Sequence, residues 1–368
     1  MNTVRIVIAG GGIAGHKLAY ALQQQAAVTL IDPKPFHETP LAAPRLFVAP
    51  RELPAIMPYA EFLPKVRFIE GTLEAVASGQ VTARTTNGGI EQVPFDYLAL
   101  TTGANYRSAL VKPLGFTSVA DRLAHFERVN ALIECAERIL IVGGGPVAVE
   151  AVGEIVQTFP SKRVTLVEAG PNILPRTTDK ARALAMAFLK ARNVEVILGE
   201  MVHGDPPPND VAAEKGEAVT DKGSRIAYDL ALWCLGTKPD AQYMKANYPE
   251  TLNDRGEIEV EPTLRVKGLA NVFALGDVAD FKEKGAAWAG FQGGVVAANL
   301  RALVKQGPGA TLKKYKLPMA DTSIVLTLGR YNGVVQLPFA VTTWPWLLRK
   351  LKSRTMGVPW ARKAVGLS

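Results

Sequence analysis

The stretch Val4-Arg5-Ile6-Val7-Ile8-Ala9-Gly10-Gly11-Gly12-Ile13-Ala14-Gly15 runs an apolar strand straight into Gly10-x-Gly12-x-x-Gly15. The same pattern returns 133 residues later, where Ile139 to Val142 leads into Gly143-x-Gly145-x-x-Ala148. In such a turn the first glycine permits the tight bend and the second lets the backbone approach a pyrophosphate. The third small residue lets helix and strand pack closely. The pyrophosphate then rests on the free amides of a helix N-terminus, where the macrodipole favours negative charge. A lone turn of this kind often does no more than join a strand to a helix. A matched pair points to two nucleotide sites.

Each turn carries its expected companion. A second strand, Val28 to Ile31, ends in Asp32, and another, Val164 to Val167, ends in Glu168. These carboxylates are placed to take ribose hydroxyls. Each unit also closes alike, with Phe95 to Leu100 leading to Gly103 and Tyr228 to Leu235 leading to Gly236. Strands and helices alternate in the βαβ manner of parallel sheets, and the chain reads as an internal repeat of two nucleotide-binding units. After Asp32, the seven prolines from Pro33 to Pro58 suit a long loop wrapping a ligand. Val66 to Val93 reads as an antiparallel meander around Asn87-Gly88-Gly89.

The composition suits a soluble enzyme of two domains or more: 368 residues, 48% of them hydrophobic. No signal peptide and no apolar run of spanning length is visible. The two cysteines, Cys135 and Cys234, sit in apolar stretches, which suggests a reducing compartment and small buried core residues. The net charge of +8 is concentrated at the C-terminus. From Thr322 onward there is no acidic residue, while Arg330, Arg349, Lys350, Lys352, Arg354, Arg362 and Lys363 supply +7.

Asn271-Val272-Phe273-Ala274-Leu275-Gly276-Asp277 places a carboxylate at the end of another apolar strand, where doubly wound sheets bind ligands. With this motif the chain resembles the two-dinucleotide-domain flavoproteins of the glutathione-reductase type, over residues 1 to about 310. The fold this implies is α/β, with two Rossmann-like three-layer domains and a short C-terminal α+β segment. Residues 1–108 and 246–320 would form a discontinuous FAD domain, 109–245 the NAD(P)H domain, and 321–368 the basic segment. By the resemblance, FAD is bound by Gly10, Gly12, Gly15, Asp32, Arg45, Gly103, Gly276 and Asp277. NADH is bound by Gly143, Gly145, Ala148, Glu168 and Gly236. Glu168 repels a 2′-phosphate, so NADH is preferred over NADPH, an effect that Arg176 softens. No metal is expected.

No cysteine precedes Cys135, so the redox-active pair of the disulfide reductases is missing and electrons must reach an acceptor that needs no protein thiol. Two branches lack that pair: type II NADH dehydrogenases, and the apoptosis-inducing-factor-like proteins with their ferroptosis suppressor group. Gly143-Gly144-Gly145-Pro146-Val147-Ala148-Val149-Glu150 is similar to a motif of both. Phe36-His37, Ala42 to Arg45 and the tail from Leu328 to Trp360 resemble the ferroptosis suppressor group. The resemblance implies an NADH:quinone oxidoreductase in which Glu150 and Lys352 are catalytic.

Several residues keep two readings. Glu150 is also an ordinary acidic residue in the first turns of a helix, and Lys352 one cation of a solvated basic face. Trp288, Phe291 and Gln292 occupy the place of the quinone motif of type II dehydrogenases, with Ala287 and Gln292 matching. Trp288 and Phe291 form either a flat apolar slot for a quinone or part of the core. Trp344 to Lys352 combines aromatics, leucines and bases. It suits peripheral contact with an anionic bilayer, packing on the body, a homodimer interface, or phosphate binding on nucleic acid. A cytoplasmic protein, peripheral on the inner membrane face, fits the first reading. A reductase of a ferredoxin-type carrier, and a slow flavin-dependent sensor or scaffold, are the competing functions.

Overall fold

The computed structural model describes residues 3–106, 115–204, 211–282, 284–317 and 323–368. The expected domain boundaries at 108/109 and 320/321 therefore fall outside the described residues.

The first sheet has the spatial order Val272–Ala274, Tyr97–Leu100, Arg5–Ala9, Ala27–Asp32, Arg67–Ala77, Gln80–Thr85, Ile90–Pro94. Its first five strands are parallel. Numbered along the chain and read from the Arg67–Ala77 side they run 3-2-1-4-5, the doubly wound order in which ligands bind beyond the carboxyl ends of the strands. Arg67–Ala77 is long enough to serve twice. Its first residues pair with Ala27–Asp32, and from Gly71 on it leads the antiparallel meander, with a bulge between Leu73 and Ala75. Asn87 and Gly88 make the turn into Ile90–Pro94.

The second sheet repeats the plan, with Glu195–Leu198, Arg163–Glu168, Arg138–Val142 and Leu230–Trp233 parallel and Val211–Ala212 antiparallel at the edge. The closing strands Tyr97–Leu100 and Leu230–Trp233 are buried at every residue, hence their unbroken apolar sequence. The chain passes between the units through Ala104–Tyr106, which pairs antiparallel with Thr237–Pro239.

The C-terminal residues form a three-stranded antiparallel sheet, Ile324–Thr327, Gly333–Leu337 and Ala340–Thr342, followed by the short helices Pro345–Leu348 and Val358–Lys363. Leu326, Leu328, Val334, Met356 and Val358 join the core of the second unit, and Val365 joins that of the first. The segment is thus a strap across both units, packed on the body along its inner side.

Two expectations are corrected. The proline-rich connection is not one long loop: Phe36–Glu38 pairs with Ile56–Pro58, and Pro40–Ala42 and Ala43–Leu46 form helical turns in which proline takes an early position. Cys135 is exposed and Cys234 half-buried, so neither is a sealed core residue. The helix Val119–Cys135 buries Arg122, His125, Phe126, Val129 and Ile133, a face with helical spacing that Cys135 does not share.

Candidate active site

The two glycine turns share their backbone bends and their first amide contacts. Gly10 and Gly143 both adopt positive φ, at 96° and 107°. A Cβ on either would stand 2.5 Å from a carbonyl oxygen of the closing strand's end, that of Thr101 or of Cys234. The Gly10 amide donates to Ile31 O and the Gly143 amide to Val167 O, both at 2.7 Å. The Gly11 amide donates to Asp32 Oδ2 and the Gly144 amide to Glu168 Oε2, both at 2.5 Å. The two acidic residues therefore shape their loops as well as standing where a ribose is expected. Glu168 Oε1 also accepts from the Gly170 amide at 2.7 Å, whereas Asp32 Oδ1 takes the Lys34 ammonium at 3.2 Å.

The turns differ where their sequences do. A Cβ on Gly15 would lie 1.8 Å from Gly10 O. The same position in the second unit is Ala148, fully buried without that conflict. The Gly11 carbonyl accepts from Tyr59 Oη at 3.0 Å, the Gly144 carbonyl from the Leu174 amide at 2.8 Å. Burial and the neighbouring Asp32 hold the Tyr59 phenol well above its ordinary range, so Tyr59 acts as a neutral donor.

These loops fit the cofactors that the motifs imply. Gly12 and Gly145 cap the helices Ile13–Leu22 and Pro146–Thr158 without side-chain caps, and a Cβ on either would meet nothing within 4 Å. That is the space a pyrophosphate needs at a helix N-terminus. Gly103 and Gly236 are equally open. Gly276, at φ 77°, turns the chain into Asp277, whose Oδ1 accepts from the Gly285 amide at 2.9 Å. Gln292 Oε1 accepts from the Gly276 amide at 2.7 Å, and its buried Nε2 has no protein partner among the described residues. A donor in that position suits a bound polar group.

Sequence reasoning missed a pair of buried histidines behind the first loop. The rings of His16 and His37 lie 3.8 Å apart, and their Nδ1 atoms reach Gly12 O at 2.7 Å and Gly11 O at 3.2 Å. His16 follows the third motif glycine and His37 lies in the proline-rich connection, so only the folded loop reveals that their rings meet.

The helix Pro146–Thr158 presents Glu150, Gly153, Glu154 and Gln157 along one face, at helical spacing. Glu150 Oε1 accepts from Lys352 Nζ at 2.5 Å, from the Thr327 amide at 2.8 Å and from Thr327 Oγ1 at 3.0 Å. Glu150 and Lys352 are nearly buried, with side chains 6% and 11% exposed. The structure thus joins the two residues singled out as catalytic and separates Lys352 from the solvated bases around it. At Gly153 a Cβ would stand 2.6 Å from Leu328 Cα, so the strap sits directly on the helix. Gln157 Oε1 accepts from the Arg330 amide at 2.5 Å.

Arg45 is 1% exposed, and its guanidinium forms a bidentate pair with Glu154, at 2.7 and 2.8 Å. It also donates to Glu52 at 2.9 Å and to Ser353 O at 3.1 Å. Burial pushes the Glu154 carboxyl up, and the guanidinium opposes that shift. A second buried pair, Arg122 with Glu38, ties the helix Val119–Cys135 to the strand Phe36–Glu38.

The aromatic residues do not make a flat slot. Trp288 is buried, Phe291 is 44% exposed, and their rings are tilted by 53° at 6.2 Å between centroids. At the far end of the strap, Phe339 is 85%, Trp344 57% and Trp346 62% exposed. The two tryptophans stack on each other at 6.0 Å and 18°. Among the described residues, no helix is long and apolar enough to cross a membrane, and no group of three or more His, Cys, Asp or Glu residues suits a metal ion.

Residues 4–297 match the pyridine nucleotide-disulphide oxidoreductase family, whose proteins bind FAD and NAD(P)H. Apoptosis-inducing factor homolog B of Dictyostelium discoideum is 30% identical over 96% of this chain and 94% of its own length. Ferroptosis suppressor protein 1 of Mus musculus is 30% identical over 91% and 89%. Among solved structures, NDH2 from Plasmodium falciparum in complex with RYL-552 superposes with a TM-score of 0.71 at 14% identity, over 95% of this chain and 93% of that one. The chain belongs to the pyridine nucleotide-disulphide oxidoreductase family, an α/β oxidoreductase fold, and stands beside the apoptosis-inducing-factor and ferroptosis-suppressor relatives within it.

Proposed function

We propose that this oxidoreductase takes hydride from NADH and passes two electrons to a quinone. The observation that carries the reading is the buried Glu150–Lys352 pair, with Glu150 in the second turn of the helix that the second nucleotide turn leads into. FAD, held by Gly10, Gly12, Gly15, Asp32, Gly103, Gly276 and Asp277, would supply a ring that accepts a hydride and releases electrons to the acceptor. NADH would lie on Gly143, Gly145, Ala148, Glu168 and Gly236. With both oxygens of Glu168 accepting backbone amides, a 2′-phosphate beside it is disfavoured, and kcat/KM should be higher for NADH than for NADPH.

In this reading Lys352 holds positive charge where negative charge develops on reduction, fixed in place before the reaction. Glu150 and Thr327 fix its position. The quinone assignment is supported by the resemblance to the ferroptosis suppressor group and by the absence of a cysteine pair near the first turn. The exposed end of the strap supports it further: Phe339, Trp344 and Trp346, with the exposed bases Arg349, Lys350 and Arg354 close by in sequence, suit the surface of an anionic bilayer in which a quinone dissolves.

The test is stopped-flow mixing of FAD-loaded protein with NADH, then with ubiquinone-1 or menadione, while flavin absorbance is followed. Fast bleaching with fast recovery on quinone is expected. Fast bleaching without recovery moves the acceptor to a protein carrier, or the role to sensing. No bleaching ends the reading.

A further inference from the structure

The resemblance places Arg45 at FAD, and in the fold its guanidinium bonds to protein groups. It lies on the short helix Ala43–Leu46, in the connection that follows Asp32, and its partners come from two other parts of the chain. Glu154 belongs to the helix that carries Glu150, one turn further on. Ser353 is the residue after Lys352, and its carbonyl accepts from the same Arg45 Nη2 that reaches Glu154 Oε1. A guanidinium can grip a carboxylate with two parallel bonds and still donate elsewhere, whereas an ammonium offers no such fork.

The surrounding network has the same direction. Glu52 bridges Arg45 and Arg330, Ser353 Oγ donates to Arg330 O at 3.0 Å, and the Arg330 amide donates to Gln157 Oε1. The strap is thus pinned to one helix face on both sides of Lys352. At Glu154 and Ser353 the pin is Arg45.

We infer that Arg45 is a positioning residue for the Glu150–Lys352 pair: it sets where Lys352 stands by holding Glu154 and the Ser353 carbonyl together. The inference rests on the catalytic reading of Glu150 and Lys352 given above. A displacement of about 1 Å in a charged group beside a reacting ring is enough to slow a reaction about a hundredfold. Arg45 would then govern the rate of flavin reduction without touching a reacting atom.

The experiment is a double-mutant cycle on FAD-loaded protein, with single-turnover bleaching by NADH and FAD stoichiometry as the two readouts. Glu154→Gln keeps the shape of the side chain and removes half of the grip. Arg45→Lys keeps the charge and removes the fork. Both should retain FAD and bleach about tenfold more slowly or worse, with NADH affinity changed less than about threefold. In a Lys352→Met background, which should itself be slow, either substitution should have less than about a twofold further effect, because its target is already gone.

Wild-type bleaching rates in FAD-loaded Glu154→Gln and Arg45→Lys would reduce the network to a structural tie. Losses that multiply with Lys352→Met would make Arg45 independent of Lys352. Loss of FAD by Arg45→Lys, with the wild-type rate restored once FAD is added back, would return Arg45 to the cofactor site. If Lys352→Met alone bleaches at the wild-type rate, the catalytic reading fails first and takes this inference with it.

Discussion

Lys352 Nζ lies 2.5 Å from Oε1 of Glu150, a residue 202 positions earlier in the chain. The contact closes the strap onto the helix of the second nucleotide turn and makes a buried charge pair at the foot of the site. Removing one partner leaves the other charged and desolvated, at a cost of about 3 kcal/mol or more. Lys352→Met should therefore lower the urea midpoint clearly. The double variant Glu150→Gln, Lys352→Met should be more stable than Lys352→Met alone. In the proposed reaction, both single variants should slow bleaching by NADH about tenfold or more. A Lys352→Met protein that matches wild type in both measurements would leave the pair without a role.

How much of this was legible beforehand depended on the range of the signal. Gly10, Gly12, Gly143, Gly145, Asp32 and Glu168 could be read because each motif is local and the contacts it implies span one strand–turn–helix unit. The two sheets followed from the repeat of those units. The histidine pair was not legible, because His16 and His37 belong to elements with no mutual periodicity. The ion-pair partners of Arg45 were not legible for the same reason: Glu154 and Ser353 lie 109 and 308 residues away. The strap's double character was foreseen only as alternatives. Its burying and exposed residues alternate over short, irregular helices, and only packing shows which side each one takes.

The two glycine turns should respond oppositely to single-methyl changes. Gly15→Ala places a carbon 1.8 Å from Gly10 O, a backbone atom that cannot swing aside, so the first turn must open. FAD retention after purification should fall sharply. Ala148→Gly in the second turn removes one buried methyl and adds helix flexibility, for about 1 kcal/mol of destabilisation. Its FAD content should be unchanged. Full FAD occupancy in Gly15→Ala would show that the first loop has more freedom than its geometry implies.

Acidification should weaken the fold through the paired histidines. Burial pushes His16 down to about 3, with Lys17 and Lys34 adding to the shift against the bond to Gly12 O. Burial, then the charge of His16, then Lys34 and Lys17, push His37 well below its ordinary value, against the bond to Gly11 O. Both folded values lie below the unfolded value of about 6.5, so unfolding takes up protons below that pH and stability falls as pH drops towards 3. At pH 5.5 the pair should cost about 3 kcal/mol relative to pH 7.5. Urea unfolding at the two pH values measures it. Replacing both residues by Asn, whose amide nitrogen can take the place of Nδ1, should remove most of the difference. An equal pH difference in that variant would assign the acid sensitivity to other groups.

The exposed end of the strap makes the last prediction. Phe339 stands in the turn between Gly333–Leu337 and Ala340–Thr342, and Trp344 and Trp346 follow within seven residues. Leaving three large aromatics in water wastes apolar burial, while an interfacial layer accepts their rings and satisfies the indole N–H groups. Arg349, Lys350 and Arg354 would meet anionic headgroups at about 1 kcal/mol each near the surface. The protein should therefore cosediment with vesicles containing phosphatidylserine and bind phosphatidylcholine vesicles less. Binding should weaken with salt, because the basic contribution is screened. Phe339→Ser, Trp344→Ser, Trp346→Ser should lose vesicle binding and keep NADH-dependent flavin bleaching, since these side chains lie on the outer side of the strap. Self-association that disappears in the same triple variant, with no vesicle binding by wild type, would make the face a contact between two copies of this chain. Binding to nucleic acid that survives the triple variant and fails at high salt would assign the bases, without the aromatics, to phosphate recognition.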